Sequence, residues 1–330
     1  GCDFVLFRDT DGKAACLSNV CPHRGSALSR GQCAEDGTVS CPFHGWRFAA
    51  DGQCVRIPSQ ENPTEDIPAS ARVDSYPVVE KYGLVWVFLG DDIESAPPIV
   101  EMPEYDNDEW RCVEHSDVWD ANLHWSKMTD LDHVHLAVVH GIKLGGDNPF
   151  RPGDHQIEYT DGGFCTEVVN RPTPLKGDWG KKRTTPTEVR SRLSFHVAGF
   201  TLRGQVSVMG LENPMFNVFY EFSTPIDEEH THMHYFFFRN FFLDPEQDAD
   251  HLKRNLKNVY QDKANAESIM PRLAPADRDW PAIKIDREDR IMAAYWKTLM
   301  ELRDRGTAID RVAMAPSRQN GQSRVIPSPA

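Results

Sequence analysis

Four residues that could bind a metal fall within two short, similar segments near the start of the chain. The first segment pairs Cys21 with His23, and the second pairs Cys41 with His44. Each segment supplies one thiolate and one imidazole, and seventeen residues separate the two segments. Two cysteines and two histidines are the ligand set of a [2Fe–2S] cluster in which histidines hold one of the irons. The spacing therefore predicts a centre that carries single electrons.

A structural zinc ion is the alternative for the same four residues, because zinc also accepts two cysteines and two histidines. Zinc sites usually join two cysteines in one loop and two histidines in the other, whereas each loop here holds one of each. A proline follows both cysteines, and a glycine follows His44. These mixed loops favour the iron–sulfur cluster over zinc.

The two segments resemble the cluster-binding loops of Rieske proteins. The tripeptides His-Arg-Gly from His23 and His-Gly-Trp from His44 match the form found in Rieske-type non-haem iron oxygenases and their ferredoxins. The resemblance covers residues 1–95 and implies an all-β Rieske domain there. The chain has 330 residues, so we expect a second domain over residues 96–330.

A second set of potential metal ligands lies in residues 117–141, a segment that is predicted to be helical. Asp132, His135 and His140 follow the spacing Asp-x2-His-x4-His. Asp132 and His135 would share one helix face, whereas His135 and His140 converge only if the helix bulges or breaks between them. Two histidines and one carboxylate, with positions left open, bind the Fe(II) that activates O2. The segment therefore predicts the two histidine ligands of a mononuclear Fe(II) centre. The carboxylate ligand of that centre must come from elsewhere in the chain.

The missing carboxylate is predicted on a helix over residues 246–271. Apolar residues form a stripe along this helix, and Asp262 interrupts the stripe. An inward carboxylate is costly unless charged partners or a metal compensate it. Asp289 is the alternative, because it stands near the start of a further predicted helix over residues 287–304. The helix dipole also favours an acidic residue there, so the sequence favours Asp262 and leaves Asp289 open.

With both sets in view, the whole chain resembles the terminal oxygenase component of a Rieske non-haem iron oxygenase. It most resembles the subgroup of single-subunit-type hydroxylases and demethylases. The Asp-His-His motif from Asp132 and the pair Gln261-Asp262 match the family's pattern, whereas Thr129 stands where Asn often precedes that motif. The resemblance implies an α+β chain in which a helix-grip catalytic domain, an antiparallel sheet with helices, follows the Rieske domain. It also implies a homotrimer.

The family further implies how electrons reach the catalytic iron. The chain contains no Gly-x-Gly-x-x-Gly motif for a nicotinamide or flavin, so electrons from NAD(P)H would arrive through a separate ferredoxin or flavin reductase. Asp132 resembles the family residue that links His135 on the iron to His44 or His23 of the neighbouring subunit's cluster. Such carboxylates fix the orientation of a metal ligand.

The reaction implied by the resemblance is hydroxylation of a small organic substrate with O2. Hydroxylation of an O- or N-methyl group would demethylate the substrate. An arene cis-dihydroxylating dioxygenase is the alternative within the same class. Outside it, the chain could be an electron-transfer protein whose second domain only binds a partner.

Composition excludes several other classes of protein. The net charge is −14 without a Lys/Arg-rich block, which disfavours nucleic acid and anionic membrane as partners. No apolar run approaches the ~20 residues of a membrane span, and eight cysteines are too few for a disulfide scaffold, so we expect a cytoplasmic protein. The first residues show neither an initiator Met nor a signal peptide and read as a strand already under way. We therefore expect the natural chain to start earlier than Gly1.

The elements that must position these residues follow from turn signals and alternation. Asp-Gly pairs at 11–12, 36–37 and 51–52 predict hairpin turns in the first domain. Alternating polar and apolar residues between 155 and 240 predict an antiparallel sheet in the second. A Pro-Pro pair at 97–98 marks the predicted boundary between the domains.

Overall fold

The structure is a computed structural model of the chain. It describes residues 3–89, 93–142, 156–170, 189–209, 212–274 and 289–304. The chain divides into two compact units, with the boundary between Ala96 and Pro97.

The first unit consists of short antiparallel strands in three small sheets. A three-stranded sheet contains β1 (Phe4–Arg8), β2 (Ala14–Ser18) and β7 (Ser75–Tyr76). A four-stranded sheet contains β3 (Gln32–Cys33), β4 (Val39–Ser40), β5 (Arg47–Phe48) and β6 (Cys54–Arg56). The third pairs β8 (Val78–Lys81) with β9 (Leu84–Val87).

The turns of the first unit require glycine, as the Asp-Gly pairs predicted. Gly12, Gly37 and Gly52 have φ angles of 77°, 71° and 83°, in the left-handed region that glycine adopts without steric cost. A Cβ at Gly52 would also lie 2.1 Å from the carbonyl oxygen of Val73. Any side chain at Gly52 would therefore force the two backbone segments apart.

The second unit is built on a seven-stranded sheet in which every neighbouring pair is antiparallel, in the order β10-β16-β15-β14-β13-β12-β11. Its strands are β10 (Arg111–Trp119), β11 (Ile157–Thr160), β12 (Gly163–Asn170), β13 (Val189–His196), β14 (Thr201–Val208), β15 (Met215–Pro225) and β16 (Thr231–Arg239). The predicted antiparallel sheet and the α+β class are confirmed.

Four α-helices accompany this sheet in the described part of the chain: α1 (Leu123–Leu131), α2 (His135–Val138), α3 (Asp248–Ala266) and α4 (Arg290–Asp304). The apolar stripe of α3, which includes Leu256 and Val259, packs against Trp119, Met233 and Phe237 of the sheet. Burial of this stripe fixes α3 on the sheet and sets the direction in which its other side chains project. None of the described helices has the length and apolar character needed to cross a membrane.

The segment over residues 117–141, predicted as one helix, instead contains the end of β10 and the two helices α1 and α2. Residues 117–119 belong to β10, and α1 ends at Leu131. Asp132 has an extended backbone with ψ 118°, and its Oδ1 accepts a hydrogen bond of 2.7 Å from the amide of Val134. This local bond offers the backbone an alternative to helix, so the prediction that Asp132 and His135 share one helix face was wrong.

Candidate metal centres

The four predicted cluster ligands lie on two loops with the same backbone hydrogen bonds. The amides of Cys21 and Cys41 each donate to the carbonyl oxygen five residues later, at 2.9 Å and 2.8 Å. Gly25 and Gly45 each donate back to the cysteine carbonyl, at 2.8 Å and 3.0 Å. Both glycines have positive φ, 75° and 72°, which explains why the two loops share a glycine after the histidine.

These loops bring thiols and imidazoles together in different surroundings. Cys21 and Cys41 are 2% and 3% exposed and belong to the core of the first unit. His23 and His44 are exposed, with ring centroids 4.5 Å apart, and the His23 ring stacks on Trp46. The cluster loops therefore present two cysteines from the interior and two histidines from the surface.

The donor set fits a [2Fe–2S] cluster. Burial is the main reason that the pKa of the Cys21 thiol is raised to about 11, and the adjacent Cys41 contributes to this rise, so a bound cation must displace the thiol proton. Partial desolvation by adjacent atoms lowers the pKa of the exposed His44, and neighbouring His23 and Arg24 lower it too. The neutral imidazole that results keeps a nitrogen lone pair for a metal.

The second predicted set also comes together. The Nε2 atoms of His135 and His140 lie 3.3 Å apart, and Oδ1 of Asp262 lies 3.3 Å from the first and 3.0 Å from the second. Among the described residues, these are the three His, Cys, Asp or Glu side chains whose ligand atoms all lie within 4.8 Å of one another. Two imidazoles and one carboxylate thus converge on one point.

The electrostatics of this point suit a divalent cation. Burial alone would raise the pKa of Asp262, but contacts with His135 and His140 outweigh it and lower the pKa. Oδ1 of Asp262 is buried and has no hydrogen-bond partner of acceptable geometry within the described chain. A buried carboxylate oxygen beside two imidazole nitrogens is costly without a cation. The donor types of the group are those of an Fe(II) centre.

Two helices position these three residues. α2 ends at Val138, between the two histidines, and Gly141 with φ 68° turns the chain after His140. The predicted break between His135 and His140 is confirmed. α3 carries Asp262 from 122 residues further along the chain.

Ion pairs fix both ends of α3 to the sheet. At its start, Asp248 contacts Arg111 of β10 at 2.6 Å and Arg239 of β16 at 2.7 Å. Near its end, Lys263 contacts Asp117 of β10 at 2.8 Å. Because Lys263 follows Asp262 directly, this pair holds the helix in register where the carboxylate projects.

Asp132 lies beside the three residues but does not hydrogen-bond to the ring of His135. Its Oδ2 is 3.9 Å from Nδ1 of His135, beyond hydrogen-bond distance. Its side chain is 34% exposed, and burial raises its pKa, as does the charge of Asp289. Asp289 stands one residue before α4 and is not a member of the converging group.

Sequence reasoning missed a buried charged group in the same unit. Lys127 of α1 is fully buried and forms a short ion pair with Glu221 of β15. Asp130 is also buried, with Oδ2 4.0 Å from the Lys127 ammonium. Glu221 faces Tyr235 across the β15–β16 ladder. The available signal was the Glu within the run Val-Phe-Tyr-Glu-Phe over residues 218–222 of β15.

Comparisons with known proteins agree with this division of the chain. Residues 1–77 match the Rieske [2Fe-2S] domain, and residues 122–301 match the vanillate O-demethylase oxygenase C-terminal domain. The second match alone covers more than half of the chain.

Two curated relatives come from Comamonas testosteroni. The chain is 39% identical over 145 residues to the toluene-4-sulfonate monooxygenase system iron-sulfur subunit TsaM1, over 44% of this chain and 40% of that protein. It is 34% identical over 160 residues to the 3-chlorobenzoate-3,4-dioxygenase oxygenase subunit, over 47% of this chain and 35% of that protein. The chain thus matches less than half the length of these relatives.

Solved structures share the fold over most of their length. One is Pseudomonas putida CBB5 NdmA, a QL mutant with caffeine, with a TM-score of 0.72 and 23% identity over 92% of this chain and 83% of that one. Another is dicamba monooxygenase bound to dicamba, with a TM-score of 0.70 and 24% identity over 91% and 89% of the two chains. Together with the two family matches, this shared fold shows that the chain belongs to the Rieske non-haem iron terminal oxygenases.

Proposed function

We propose that this chain is the oxygenase component of a multicomponent enzyme that hydroxylates a small organic substrate with O2. Where the substrate carries an O- or N-methyl group, the hydroxylated methyl group leaves as formaldehyde, which carries the inserted oxygen atom. One oxygen atom enters the substrate and the other leaves as water, so each turnover consumes two electrons and two protons. The convergence of His135, His140 and Asp262 carries this proposal, because an electron carrier needs no such group.

Each metal centre has its own residues in this proposal. Cys21, His23, Cys41 and His44 hold the [2Fe–2S] cluster, and His135, His140 and Asp262 hold the mononuclear iron. When bound, the cluster stores single electrons and the mononuclear iron activates O2. Residues 1–95 would form the Rieske domain and residues 96–330 the catalytic domain.

At the catalytic centre, the protein's own side chains hold the ligand atoms in place and shield them from water. His140 is 3% exposed and His135 is 12% exposed, so the chain shields the ligand atoms from bulk water. Asp262 supplies negative charge at the site, with its Oδ1 3.3 Å from Nε2 of His135 and 3.0 Å from Nε2 of His140. Ligands that the protein shields from bulk water suit a catalytic metal ion.

Electrons would arrive from NAD(P)H through a separate ferredoxin or flavin reductase. We propose a cytoplasmic homotrimer in which Asp132 bridges two subunits. Its carboxylate would face His135 of its own subunit and a cluster histidine of the next. Support comes from its 3.9 Å distance to His135 Nδ1 and from the exposure of His23 and His44.

A single-turnover experiment tests the proposed reaction without the native reductase. The purified protein is reduced with dithionite, freed of excess reductant and mixed with 18O2 and a panel of candidate substrates. The panel begins with toluene-4-sulfonate and 3-chlorobenzoate, the compounds in the names of the two relatives, and includes methoxybenzoates. We expect either one hydroxylated product that carries a single 18O atom or, from a methoxybenzoate, the phenol together with formaldehyde, which is trapped and quantified because its oxygen exchanges with water.

The isotope pattern separates the candidate functions. Two 18O atoms in one arene product would identify a cis-dihydroxylating dioxygenase and contradict monooxygenation. Absence of both 18O-labelled product and formaldehyde, with reversible cluster reduction in wild type and Asp262→Ala alike, would identify an electron carrier and contradict the proposed function.

A further inference from the structure

The side chain of Gln261 contacts both a predicted iron ligand and the backbone beside it. Its Oε1 lies 3.0 Å from Nδ1 of His140. Its Nε2 donates a hydrogen bond of 3.1 Å to the carbonyl oxygen of Val139. One amide thus spans α3 and the segment that follows α2.

The Val139 carbonyl settles the orientation of this amide. A carbonyl oxygen can only accept a hydrogen bond, so the NH2 group of Gln261 must face it and the amide oxygen must face His140. Because the amide oxygen also only accepts, Nδ1 of His140 must carry the proton. In the neutral ring, Nε2 then keeps its lone pair.

The lone pair on Nε2 of His140 points towards the other two ligand atoms. Nε2 of His140 is 3.3 Å from Nε2 of His135 and 3.0 Å from Oδ1 of Asp262. The nitrogen of a histidine that binds a metal is determined by the hydrogen bond of the other nitrogen. The Gln261 contact therefore selects the atom that faces the metal.

Gln261 also ties this contact to the fold. The amide of Val139 donates to His135 at 2.7 Å as the last bond of α2, so the Val139 carbonyl projects beyond the helix end. By donating to that carbonyl, Gln261 connects the α2 terminus to α3 one residue before Asp262. The same residue thus sets the distance between His140 and the carboxylate.

We infer that Gln261 is the positioning residue of the catalytic centre: it fixes the Nδ1–H tautomer of His140 and docks the His140 segment on α3. This inference rests on the proposed function only in naming Fe(II) as the bound ion. A carboxylate at this position could still accept from Nδ1–H but could not donate to Val139. The two hydrogen bonds can therefore be separated by substitution.

Three variants test the inference. Gln261→Leu removes both hydrogen bonds at similar size, and Gln261→Glu keeps the acceptor for His140 alone. Gln247→Leu is the matched control, because its side chain makes no capping hydrogen bond at the start of the same helix. Long-range 15N–1H spectra of protein labelled at histidine, without mononuclear metal and at alkaline pH, report which ring nitrogen of His140 carries hydrogen. Competition with a chelator reports the Fe(II) dissociation constant.

We expect wild type, Gln247→Leu and Gln261→Glu to show hydrogen on Nδ1 of His140. Gln261→Leu should show it shifted wholly or partly to Nε2. Its Fe(II) affinity should fall about 10–100-fold, the usual loss when such a partner is removed, with Gln261→Glu between it and wild type. The visible spectrum of the cluster should remain unchanged in every variant.

An unchanged His140 tautomer in Gln261→Leu, or wild-type Fe(II) affinity, would overturn the inference. These outcomes are distinct from failure of the proposed function. A wild-type protein that binds Fe(II) but forms neither an 18O-labelled product nor formaldehyde would contradict the function, while the tautomer and affinity would still test Gln261.

Discussion

The two candidate metal centres are assembled in opposite ways. The cluster ligands come from two loops twenty residues apart that share the same hydrogen bonds. The three catalytic ligands come from a broken helical segment and from α3, with His140 and Asp262 122 residues apart. The first centre depends on local turns, whereas the second depends on the packing of helices against a seven-stranded sheet.

This difference predicts that substitutions can remove the metal from one centre without removing it from the other, and that the causes differ between the two. Changes in the cluster loops should affect one unit alone, because the loops carry their own glycine turns and backbone bonds. Changes far from the catalytic ligands should still reach them, because α3 is held by ion pairs at both ends. Substitutions in one unit should therefore affect the centre in that unit and leave the other centre intact.

Loss of one cluster thiolate should have the largest effect. We expect Cys41→Ser to abolish the visible absorption and the EPR signal of the reduced cluster, because the cluster needs all four ligands. The mononuclear iron should remain, at about one per subunit. Cys33→Ser, at an exposed cysteine of the same unit, is the control and should keep its colour. A fully coloured Cys41→Ser protein would refute the cluster assignment.

Asp132→Asn tests whether the two centres act as a pair. The amide keeps the shape of the side chain but removes its charge, so both centres should stay loaded. Transfer of an electron from the reduced cluster to the catalytic iron should slow by orders of magnitude, as followed by stopped-flow with substrate and O2. Asp120→Asn, at a more exposed acid, is the control, and its reduced cluster should re-oxidise at the wild-type rate. Normal re-oxidation in Asp132→Asn would rule out the bridge, and loss of iron would make Asp132 a ligand.

The buried ion pair of the second unit should be sensitive to loss of its cation. Lys127→Met leaves Glu221 and Asp130 buried without a positive partner, so we expect destabilisation of the second unit by about 3–5 kcal/mol. Urea unfolding followed by near-UV circular dichroism should show it, while cluster absorption, which reports the first unit, should not change. Lys297→Met, at an exposed pair with Glu301, should be nearly neutral. Equal unfolding midpoints for these two variants would contradict the buried role of Lys127.

Loss of the ion pairs at the start of α3 should reduce stability by the smallest amount, and this reduction should depend on pH. Hydrogen bonding to Arg111 is the main reason that the pKa of Asp248 is lowered, and Arg239 contributes. A carboxylate with a lowered pKa stabilises the fold above its unfolded pKa of about 4, and this stabilisation is lost as pH falls through the folded pKa.

Asp248→Asn should therefore cost about 1–3 kcal/mol near neutral pH, because it removes the charge that faces the buried Arg239. The difference in melting temperature from wild type should shrink as the pH falls below about 4. Asp250→Asn, at an exposed acid of the same helix turn, is the control and should match wild type throughout. A difference that stays constant with pH would show that the charge of Asp248 is not responsible.

Within each of the three short segments involved, the candidate ligands lie at most five residues apart. The sequence therefore predicted the four cluster residues and the histidines at 135 and 140 from spacing and family resemblance, and their roles as metal ligands stay predictions. It predicted Asp262 from a break in an apolar stripe, which the packing of α3 on the sheet explains. It did not predict the extended backbone of Asp132, because the competing bond from the Val134 amide is a local choice that periodicity does not reveal. The Lys127–Glu221 pair was also missed, since it joins a helix to a strand 94 residues away.

Iron content of the Asp262→Ala and Asp289→Ala variants tests the central claim most directly, which is that His135, His140 and Asp262 form a metal centre separate from the cluster. Wild type should contain about three irons per subunit, two in the cluster and one at the catalytic centre. Asp262→Ala should contain about two, with an unchanged cluster spectrum and no oxygenation, and Asp289→Ala should keep about three. Loss of the third iron in Asp289→Ala but not in Asp262→Ala would contradict the assignment.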